Sequence, residues 1–470
     1  MKKFLNRLLG FSLGPILGAL ISFFLVPLLT AFIPAAEYGK ASLFSTLITI
    51  LPFYIFLGLD QAYTREFQEN EDKRNLLQQA AILPLGLGIG LVVISFIFSS
   101  ELSTWLFGSE DYPQIVFLGG IWVLATILER FFLLSLRMQD QAFVYSTYNL
   151  ILKINVFLVS MFFIAIGWRD FQVIVYGLLL GQLLGDLVLF WQHRYYFKFS
   201  GFHIDWPLIK RMIQFGLPIM VAVNLTNSLS AVDNLFLKQY RTMEEIGIYS
   251  VALKIMAVIG IVKTAFTSFW VPTAYRWYQE QKEMKYFKFI SDAVLFVLTA
   301  MFFALLVFKS WIVLIVGEEF RQVQYLLGLM AFPHMMYTLS ETTNLGIVFS
   351  RKTQFNILVS IAAFIPSVLL NYLLTPRYGF VGAATASFVA YLMFYFFRTY
   401  FSNRLGFSFS QRKQVLSILL MSFAALINAF EWPYAVWATL LLGLLALGAQ
   451  WSTITQLMDI KDNPQAWNFD

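Results

Sequence analysis

The stretch AVDNLFLKQYRTMEEIGIYSVALKI, Ala231 to Ile255, joins two long apolar runs through a short polar turn. The runs, residues 213–240 and 246–271, are each long enough for a helix to cross a bilayer, which needs about 20 apolar residues. Backbone groups inside hydrocarbon must form hydrogen bonds within their own segment, so these runs predict transmembrane helices. The stretch therefore predicts a helical hairpin in a membrane.

Composition extends this prediction to the whole chain. Of the 470 residues, 59% are hydrophobic, 13% are charged and none is cysteine. Soluble domains carry about 25% charged residues, so this much apolar surface needs lipid as its solvent. The lack of cysteine excludes disulfides and thiolate metal ligands, and the three histidines form no HExxH motif. We therefore expect an integral membrane protein with no metal site and no cofactor.

Runs of about 20 apolar residues recur along the chain and predict an all-α polytopic membrane protein with about fourteen transmembrane helices. The predicted spans cover residues 8–33, 41–59, 79–100, 114–136, 142–167, 171–191, 213–240, 246–271, 291–316, 322–349, 354–375, 379–401, 414–430 and 433–453. The first run follows a basic N-terminus, but it exceeds the about 7–15 residues of a signal peptide's apolar region. We read it as a retained helix.

Positive charge alternates between the loops. If the N-terminus is cytoplasmic, the segments on that side hold most of the Lys and Arg residues, Arg137 and Arg398 among them. Cytoplasmic loops are enriched in Lys and Arg, so the pattern predicts an even number of spans with both termini inside. The same topology accounts for the net charge of +6, and we expect no nucleic-acid partner.

The loops are too short to hold a soluble catalytic domain, and no GxxxxGK[ST] motif indicates a nucleotide-driven motor. A structural scaffold would not need the ionisable residues that lie within the spans. The chain is therefore predicted to be a carrier and not an enzyme.

Short motifs recur at nearly one spacing and indicate an internal repeat. Glu37–Gly39 opens the second span as Glu245–Gly247 opens the eighth, and Val175–Gly177 matches Phe380–Gly382 in spans six and twelve. Six spans per half give both halves one orientation, with the substrate site between them. The predicted parts are an N-terminal lobe, 1–212; a C-terminal lobe, 213–412; and two further helices with a cytoplasmic tail, 413–470.

Asp233 and Lys254 lie at equal distances from the turn of the hairpin, and each lies about 11 Å inside its helix. One interpretation is a structural ion pair that holds the hairpin together. The other is a site in a wet cavity, because the same span is rich in polar residues. These are Asn224, Thr226, Asn227, Ser228, Ser230 and Asn234.

Spans four and five also carry charges, and each costs about 2.5–3.5 kcal/mol at the centre of a bilayer. Adjacent residues of a helix point about 100° apart, so Glu129 and Arg130 do not pair well with each other. We expect Glu129 to pair with Lys153, which leaves Arg130 without a protein acid and able to bind a phosphate. Alternatively, Arg130 pairs with Asp186 or reaches the inner headgroups.

Span ten carries His334 and Glu341 on one face, seven residues apart. The face is either a buried polar seam or a path for a proton or cation, in which His334 would titrate. Lys263 of span eight is expected to reach toward the cytoplasmic headgroups.

Four segments carry a likeness to a known family. They are FSLGPILGALISFFLVPLLT with EYGKASLFSTL, LGLDQAYTREFQENEDKRNLL, FGLPIMVAVNLTNSLSAVDNLFLKQYRTMEEIGIYSVALKIM and RYGFVGAATASFVAYL. Over nearly its whole length the chain resembles the polysaccharide and O-antigen repeat-unit flippases of the multidrug/oligosaccharidyl-lipid/polysaccharide exporter superfamily.

The resemblance implies two lobes around a central cavity and alternating access. It implies transport of an undecaprenyl-pyrophosphate-linked oligosaccharide from the inner to the outer leaflet of the bacterial cytoplasmic membrane, coupled to a gradient of H+ or Na+. The product would enter O-antigen, capsule or exopolysaccharide assembly, with a polysaccharide polymerase and chain-length proteins as partners. Asp233 and Lys254 match the family's acid and base in spans seven and eight.

The candidate residues fall into two groups. Those expected to bind the substrate are Arg130, Lys153, Lys254, Asn224 and Asn227. Those expected to couple an ion or to gate are Asp233, Glu129, His334 and Glu341. A multidrug exporter or a lipid II exporter of the same superfamily is the alternative. The balanced charges within the spans argue against a purely cationic substrate.

The alternating charge predicts the sides of individual loops. Reporter fusions after Ser109 and after Tyr286 should report opposite sides of the membrane, outside for the first and cytoplasmic for the second. Alkaline phosphatase and green fluorescent protein, which work only outside and only inside respectively, make the measurement. The same side for both fusions would contradict the topology.

Overall fold

The computed structural model describes residues 2–198, 202–350, 352, 354–430 and 432–462, and within these ranges it contains helices and no strand. The predicted C-terminal tail beyond residue 462 lies outside the described residues. The α-helices are α1 (Lys2–Phe32), α2 (Ala35–Ile55), α3 (Leu59–Glu66), α4 (Lys73–Ile97), α5 (Ser99–Phe107), α6 (Pro113–Met138), α7 (Ala142–Ala165), α8 (Gln172–Gln192), α9 (Trp206–Asn227), α10 (Leu229–Tyr240), α11 (Met243–Gln279), α12 (Met284–Val307), α13 (Lys309–Ile312), α14 (Val323–Thr343), α15 (Leu345–Phe349), α16 (Gln354–Arg404), α17 (Arg412–Ala429), α18 (Ala435–Gly448) and α19 (Trp451–Asp462).

Each predicted span overlaps one of these helices, which confirms the all-α polytopic fold. By length and apolar composition, eight described helices are able to cross a membrane, or ten if two bent pairs each count as one span. The 51 residues of α16 would extend about 77 Å, far beyond the about 30 Å of a hydrocarbon core. The backbone of Gly379 interrupts this helix, at the boundary between predicted spans eleven and twelve. The count of fourteen stays a prediction.

The helices form two compact units, Met1–Ser250 and Val251–Asp470. In the first unit, α9 and α10 pack against α2, and α9 also packs against α3. The predicted lobe boundary at residue 212 stays a prediction, and we describe each unit separately.

The second unit joins its last helices to α12 through buried polar groups. The amide of Gln450 donates hydrogen bonds of 3.0 Å to Thr299 and to Ser417. Lys413 forms a 3.0 Å ion pair with Asp292, whose side chain is almost completely buried. The two helices predicted to follow the C-terminal lobe therefore pack as part of this unit.

In the first unit, the repeated motifs around Gly39 and Gly247 contact each other. A Cβ atom at Gly39 would lie 1.7 Å from the carbonyl oxygen of Met243, and one at Gly247 would lie 2.1 Å from that of Ala35. The first turns of α2 and α11 therefore touch backbone to backbone. Any side chain at either glycine would force the two helices apart.

A second close contact sets the direction of α3. Gly58 adopts φ +71°, a left-handed conformation that favours glycine, and the chain bends by 49° between α2 and α3. A Cβ atom at Gly58 would lie 2.1 Å from the carbonyl oxygen of Gly216 in α9. A 2.7 Å ion pair between Glu66 and Arg211 ties the end of α3 to α9 as well. Together these contacts place Asp60, on the first turn of α3.

The close contact of Gly39 with Met243 predicts that a methyl group at position 39 destabilises the protein. Gly39→Ala should lower the thermal unfolding temperature of the purified protein, because overpacking typically costs about 1–3 kcal/mol. Gly86→Ala in α4 is the matched control, since a Cβ atom there meets nothing within 4 Å and alanine favours the helix. Tryptophan fluorescence during heating measures both. Equal unfolding temperatures for the two variants would refute the contact.

Candidate functional site

The first unit contains a cavity of about 350 Å³ between α2, α6, α7 and α8. Its charged lining residues are Glu129, Arg130, Arg137 and Lys153. Its uncharged polar ones are Thr49, Thr126, Tyr145, Asn149 and Gln182, and its aromatic ones are Phe53, Phe56 and Trp122. The cavity thus brings together three residues predicted for the site, Glu129, Arg130 and Lys153.

Helix α6 forms one wall of the cavity. Its lining residues are Trp122, Thr126, Glu129, Arg130, Leu133, Leu134 and Arg137. These positions recur every three or four residues and so share one face of the helix. From Trp122 to Arg137 they span about 22 Å along the axis. The cavity is therefore elongated along α6, with its charges toward the C-terminal half of that helix.

Arg130 is paired with an acid, contrary to the expectation from the sequence. Its Nε and Nη2 donate hydrogen bonds of 3.2 and 2.8 Å to Oδ2 of Asp60. The partner is neither Asp186 nor a headgroup, because the bend at Gly58 turns Asp60 toward α6. The Asp60 side chain is only 8% exposed, whereas that of Arg130 is 38% exposed. Arg130 is therefore neutralised yet accessible, and another anion would have to compete with Asp60.

Glu129 and Lys153 both line this cavity, and their direct pairing stays a prediction. The amide of Gln182 donates a 2.6 Å hydrogen bond to Glu129, and the charge of Lys153 acts on the Glu129 carboxylate. Lys153 passes closely over α1, since a Cβ atom at Gly18 would lie 2.9 Å from its Cγ. Asp186 is buried on α8 and interacts with Glu129.

Arg137, Tyr145 and Asn149 line the cavity, and the sequence analysis did not place them in the site. Arg137 was assigned to a cytoplasmic loop because it closes the fourth span. The signal that could have revealed it is its spacing, since Arg130 and Arg137 are seven residues apart on one helix face.

The polar row of span seven contacts α2 instead of this cavity. The Asn224 amide donates a 3.0 Å hydrogen bond to the carbonyl of Phe53, and the Asn234 amide donates a 2.9 Å one to Thr46. The hydroxyls of Ser228 and Tyr54 are 2.6 Å apart. Asn227 is exposed and does not line the cavity either. The polar residues of span seven predicted a wet cavity. Asn224, Ser228 and Asn234 instead form hydrogen bonds between helices.

Asp233 is completely buried on α10 and accepts a hydrogen bond from the hydroxyl of Tyr249. Lys254 is exposed and belongs to the second unit. The pairing of Asp233 with Lys254 stays a prediction, as does the role of either residue in transport.

In the second unit, His334 and Glu341 lie on α14 as predicted, but Glu341 has a strong partner. Arg398 of α16 forms a 2.8 Å ion pair with Glu341 and donates a 2.8 Å hydrogen bond to Ser340. The sequence analysis counted Arg398 among the charges of the cytoplasmic side and did not predict its contact with α14. Arg398 and Glu341 are both largely buried, so they form a polar seam between α14 and α16.

Lys263 also differs from its expected position. Its ammonium lies 4.3 Å from the centre of the Tyr337 ring and is half-buried, so it does not extend freely toward headgroups. The ring of His334 packs beside Gly260, 3.3 Å from where a Cβ atom would lie.

No group of three or more metal-binding side chains occurs among the residues that the structure describes. A family model described as "Polysaccharide biosynthesis protein" matches residues 8–278, more than half of the chain. The chain belongs to this family. The family expected from the sequence is thereby confirmed, and the protein is a multi-pass membrane protein.

The chain is similar in sequence to one curated protein and in fold to several solved structures. The chain is 23% identical over 392 residues to the probable low-salt glycan biosynthesis flippase Agl15 of Haloferax volcanii, covering 80% of this chain and 78% of that protein. It is similar to the lipid II flippase MurJ in its inward closed conformation, with a TM-score of 0.72, 14% identity and coverage of 95% and 99%. A multidrug MATE transporter in its inward-facing conformation gives a TM-score of 0.63, 13% identity and coverage of 83% and 96%.

Cationic side chains outnumber carboxylates in the lining of the family member's cavity. Three cationic side chains and one carboxylate line it. Asp60, which is outside the lining, forms an ion pair with Arg130. Two arginines offer planar forks suited to carboxylate or phosphate oxygens.

The Arg130–Asp60 ion pair predicts a measurable coupling. Arg130→Gln should destabilise the protein because it leaves a buried carboxylate without its partner. Asp60→Asn in the same chain should recover part of that loss, with a coupling free energy of about 1 kcal/mol, since Arg130 remains partly exposed. Unfolding of the two single variants and the double variant in one detergent gives the cycle. Purely additive effects would show that the two residues do not interact.

Proposed function

We propose that this protein is a flippase for undecaprenyl-diphosphate-linked oligosaccharide repeat units. It moves them from the inner to the outer leaflet of the bacterial cytoplasmic membrane by alternating access, for assembly of a surface polysaccharide such as O-antigen, capsule or exopolysaccharide. Membership of the polysaccharide biosynthesis family supports this proposal, as does the similarity to Agl15.

The cationic cavity of the first unit is the observation that carries the proposal. A diphosphate loses its hydration when it enters a membrane protein, and charge-assisted hydrogen bonds are able to replace that hydration. Arg130, Arg137 and Lys153 line one cavity and supply such donors. A purely cationic drug would meet repulsion from the same lining.

Binding at Arg130 offers a route to conformational change. An anion that takes hydrogen bonds from Arg130 competes with Asp60, which lies on α3. Helix α3 is held to α9 by the Gly58–Gly216 contact and the Glu66–Arg211 ion pair. Weakening the Arg130–Asp60 pair would therefore favour a conformation in which α3 and α9 separate from α6.

An ion gradient supplies the direction in this proposal. Glu129 and Asp186 are two interacting carboxylates in a buried setting, and a bound H+ or Na+ would relieve their repulsion. His334 and Asp233 stay proposed members of the coupling or gating machinery. Glu341 is a weaker candidate, because Arg398 already neutralises it. A polysaccharide polymerase and chain-length proteins are the proposed partners after transport.

The alternative substrates, lipid II and cationic drugs, differ in how their charge fits this cavity. Lipid II also carries a polyprenyl diphosphate, so the same cavity would accept it, and MurJ shares this fold. A multidrug role is disfavoured by the cationic lining, although MATE transporters share the fold too. Identification of the lipid that accumulates when transport stops decides between glycan repeat units and lipid II.

Export in cells that carry single variants tests the proposal. Arg130→Lys should insert and fold, yet export should fall about tenfold or more, because losing one charge-assisted bond costs about 1.5–3 kcal/mol. Lipid-linked oligosaccharide should then build up on the cytoplasmic side, where mass spectrometry identifies it. Collapsing the proton gradient and the sodium gradient separately in wild-type cells tests the coupling.

Arg321→Lys is the matched control, since Arg321 is exposed and forms a local ion pair with Glu318. It should leave export unchanged. Normal export by Arg130→Gln at normal protein level would overturn the role of Arg130 in diphosphate binding. Full export after collapse of both gradients would overturn ion coupling.

A further inference from the structure

Arg137 differs from the other cations of the cavity in its surroundings. Arg130 is bonded to Asp60, and Lys153 lies within electrostatic reach of Glu129. Arg137 is exposed, and within the described part of the chain it has neither an ion pair nor a hydrogen bond from its side chain. Its five N–H groups and its full charge therefore remain available to a ligand.

The position of Arg137 relates it directly to Arg130. Both residues line the cavity from the same face of α6, two helical turns apart, and the axial separation is about 10.5 Å. Leu133 and Leu134 line the stretch between them. The α6 wall of the cavity therefore carries two cationic side chains with two leucines between them.

We infer that Arg137 is the first binding position for the diphosphate of the substrate, at the end of the cavity nearest the C-terminus of α6. An anion binds Arg137 without displacing any acid, whereas binding at Arg130 requires exchange with Asp60. The diphosphate is therefore captured at Arg137 and then passes to Arg130 and Lys153. This inference rests on the proposed function, because it assigns a residue within the same substrate cavity.

The competing interpretation is that Arg137 contacts phospholipid headgroups, as arginines at cytoplasmic helix ends commonly do. Phosphate is the ligand chemistry in both cases. If Arg137 binds the substrate diphosphate, a soluble diphosphate should bind it in the absence of phospholipid. If Arg137 binds headgroups, added anionic lipid should stabilise the protein through Arg137.

Calorimetry on the full-length protein tests the inference, in phospholipid-free detergent with inorganic pyrophosphate as the probe. Arg137→Gln should weaken pyrophosphate binding at least about tenfold, while Arg137→Lys should retain part of the affinity as a point charge. Arg412→Gln is the matched control, because Arg412 is exposed on the first turn of α17 in the second unit. It should change the affinity less than about twofold. Arg137 has no described bond to lose, so its variants should unfold at the wild-type temperature.

The outcomes separate the inference from the proposed function. If Arg130→Gln weakens pyrophosphate binding and Arg137→Gln does not, the capture role of Arg137 is overturned and the diphosphate cavity stands. If neither change matters, or the wild-type protein does not bind pyrophosphate, the diphosphate cavity itself is overturned. Arg137→Gln could leave pyrophosphate binding unchanged and reduce only the thermal stabilisation of the protein by added phosphatidylglycerol. In that case Arg137 binds lipid headgroups and the inference fails.

Discussion

The cost of placing charge in hydrocarbon governs the arrangement of this protein. An ionised group inside a membrane protein needs a partner, a hydrogen-bond donor or a wet cavity. The ion pairs Arg130–Asp60 and Arg398–Glu341 meet this need in the first and the second unit, respectively. Asp233 meets it through the Tyr249 hydroxyl, and Glu129 through Gln182 and the cavity.

Small residues make the first of these pairs geometrically possible. The left-handed backbone at Gly58 and its contact with Gly216 direct α3 so that Asp60 meets Arg130. The contact between Gly39 and Gly247 brings the starts of α2 and α11 together in the same way. Without these close backbone approaches, helices in lipid have little hydrophobic force to hold them in register. Packing and electrostatics therefore depend on each other here.

The cationic side chains of the cavity differ in how fully acids neutralise them. A carrier that held its substrate through several unpaired arginines would bind it too tightly to release it. Here Arg137 is open, whereas Arg130 and Lys153 have acids within reach. An anion that moved from Arg137 to Arg130 would have to compete with Asp60 for the guanidinium group.

The sequence by itself determined the membrane helices, the helices on either side of residues 241–242, and the placement of Glu129 and Lys153 on neighbouring spans. Hydropathy and helical spacing are local properties, and neighbouring spans pack side by side. Only the tertiary structure decided that Arg130 bonds Asp60, 70 residues away, and that Arg398 bonds Glu341, 57 residues away. It likewise turned the polar side chains of α9 and α10 toward α2. The sequence shows that a charged residue within a span needs a partner. Which residue becomes that partner depends on helix bends and packing angles, which contacts between distant segments set.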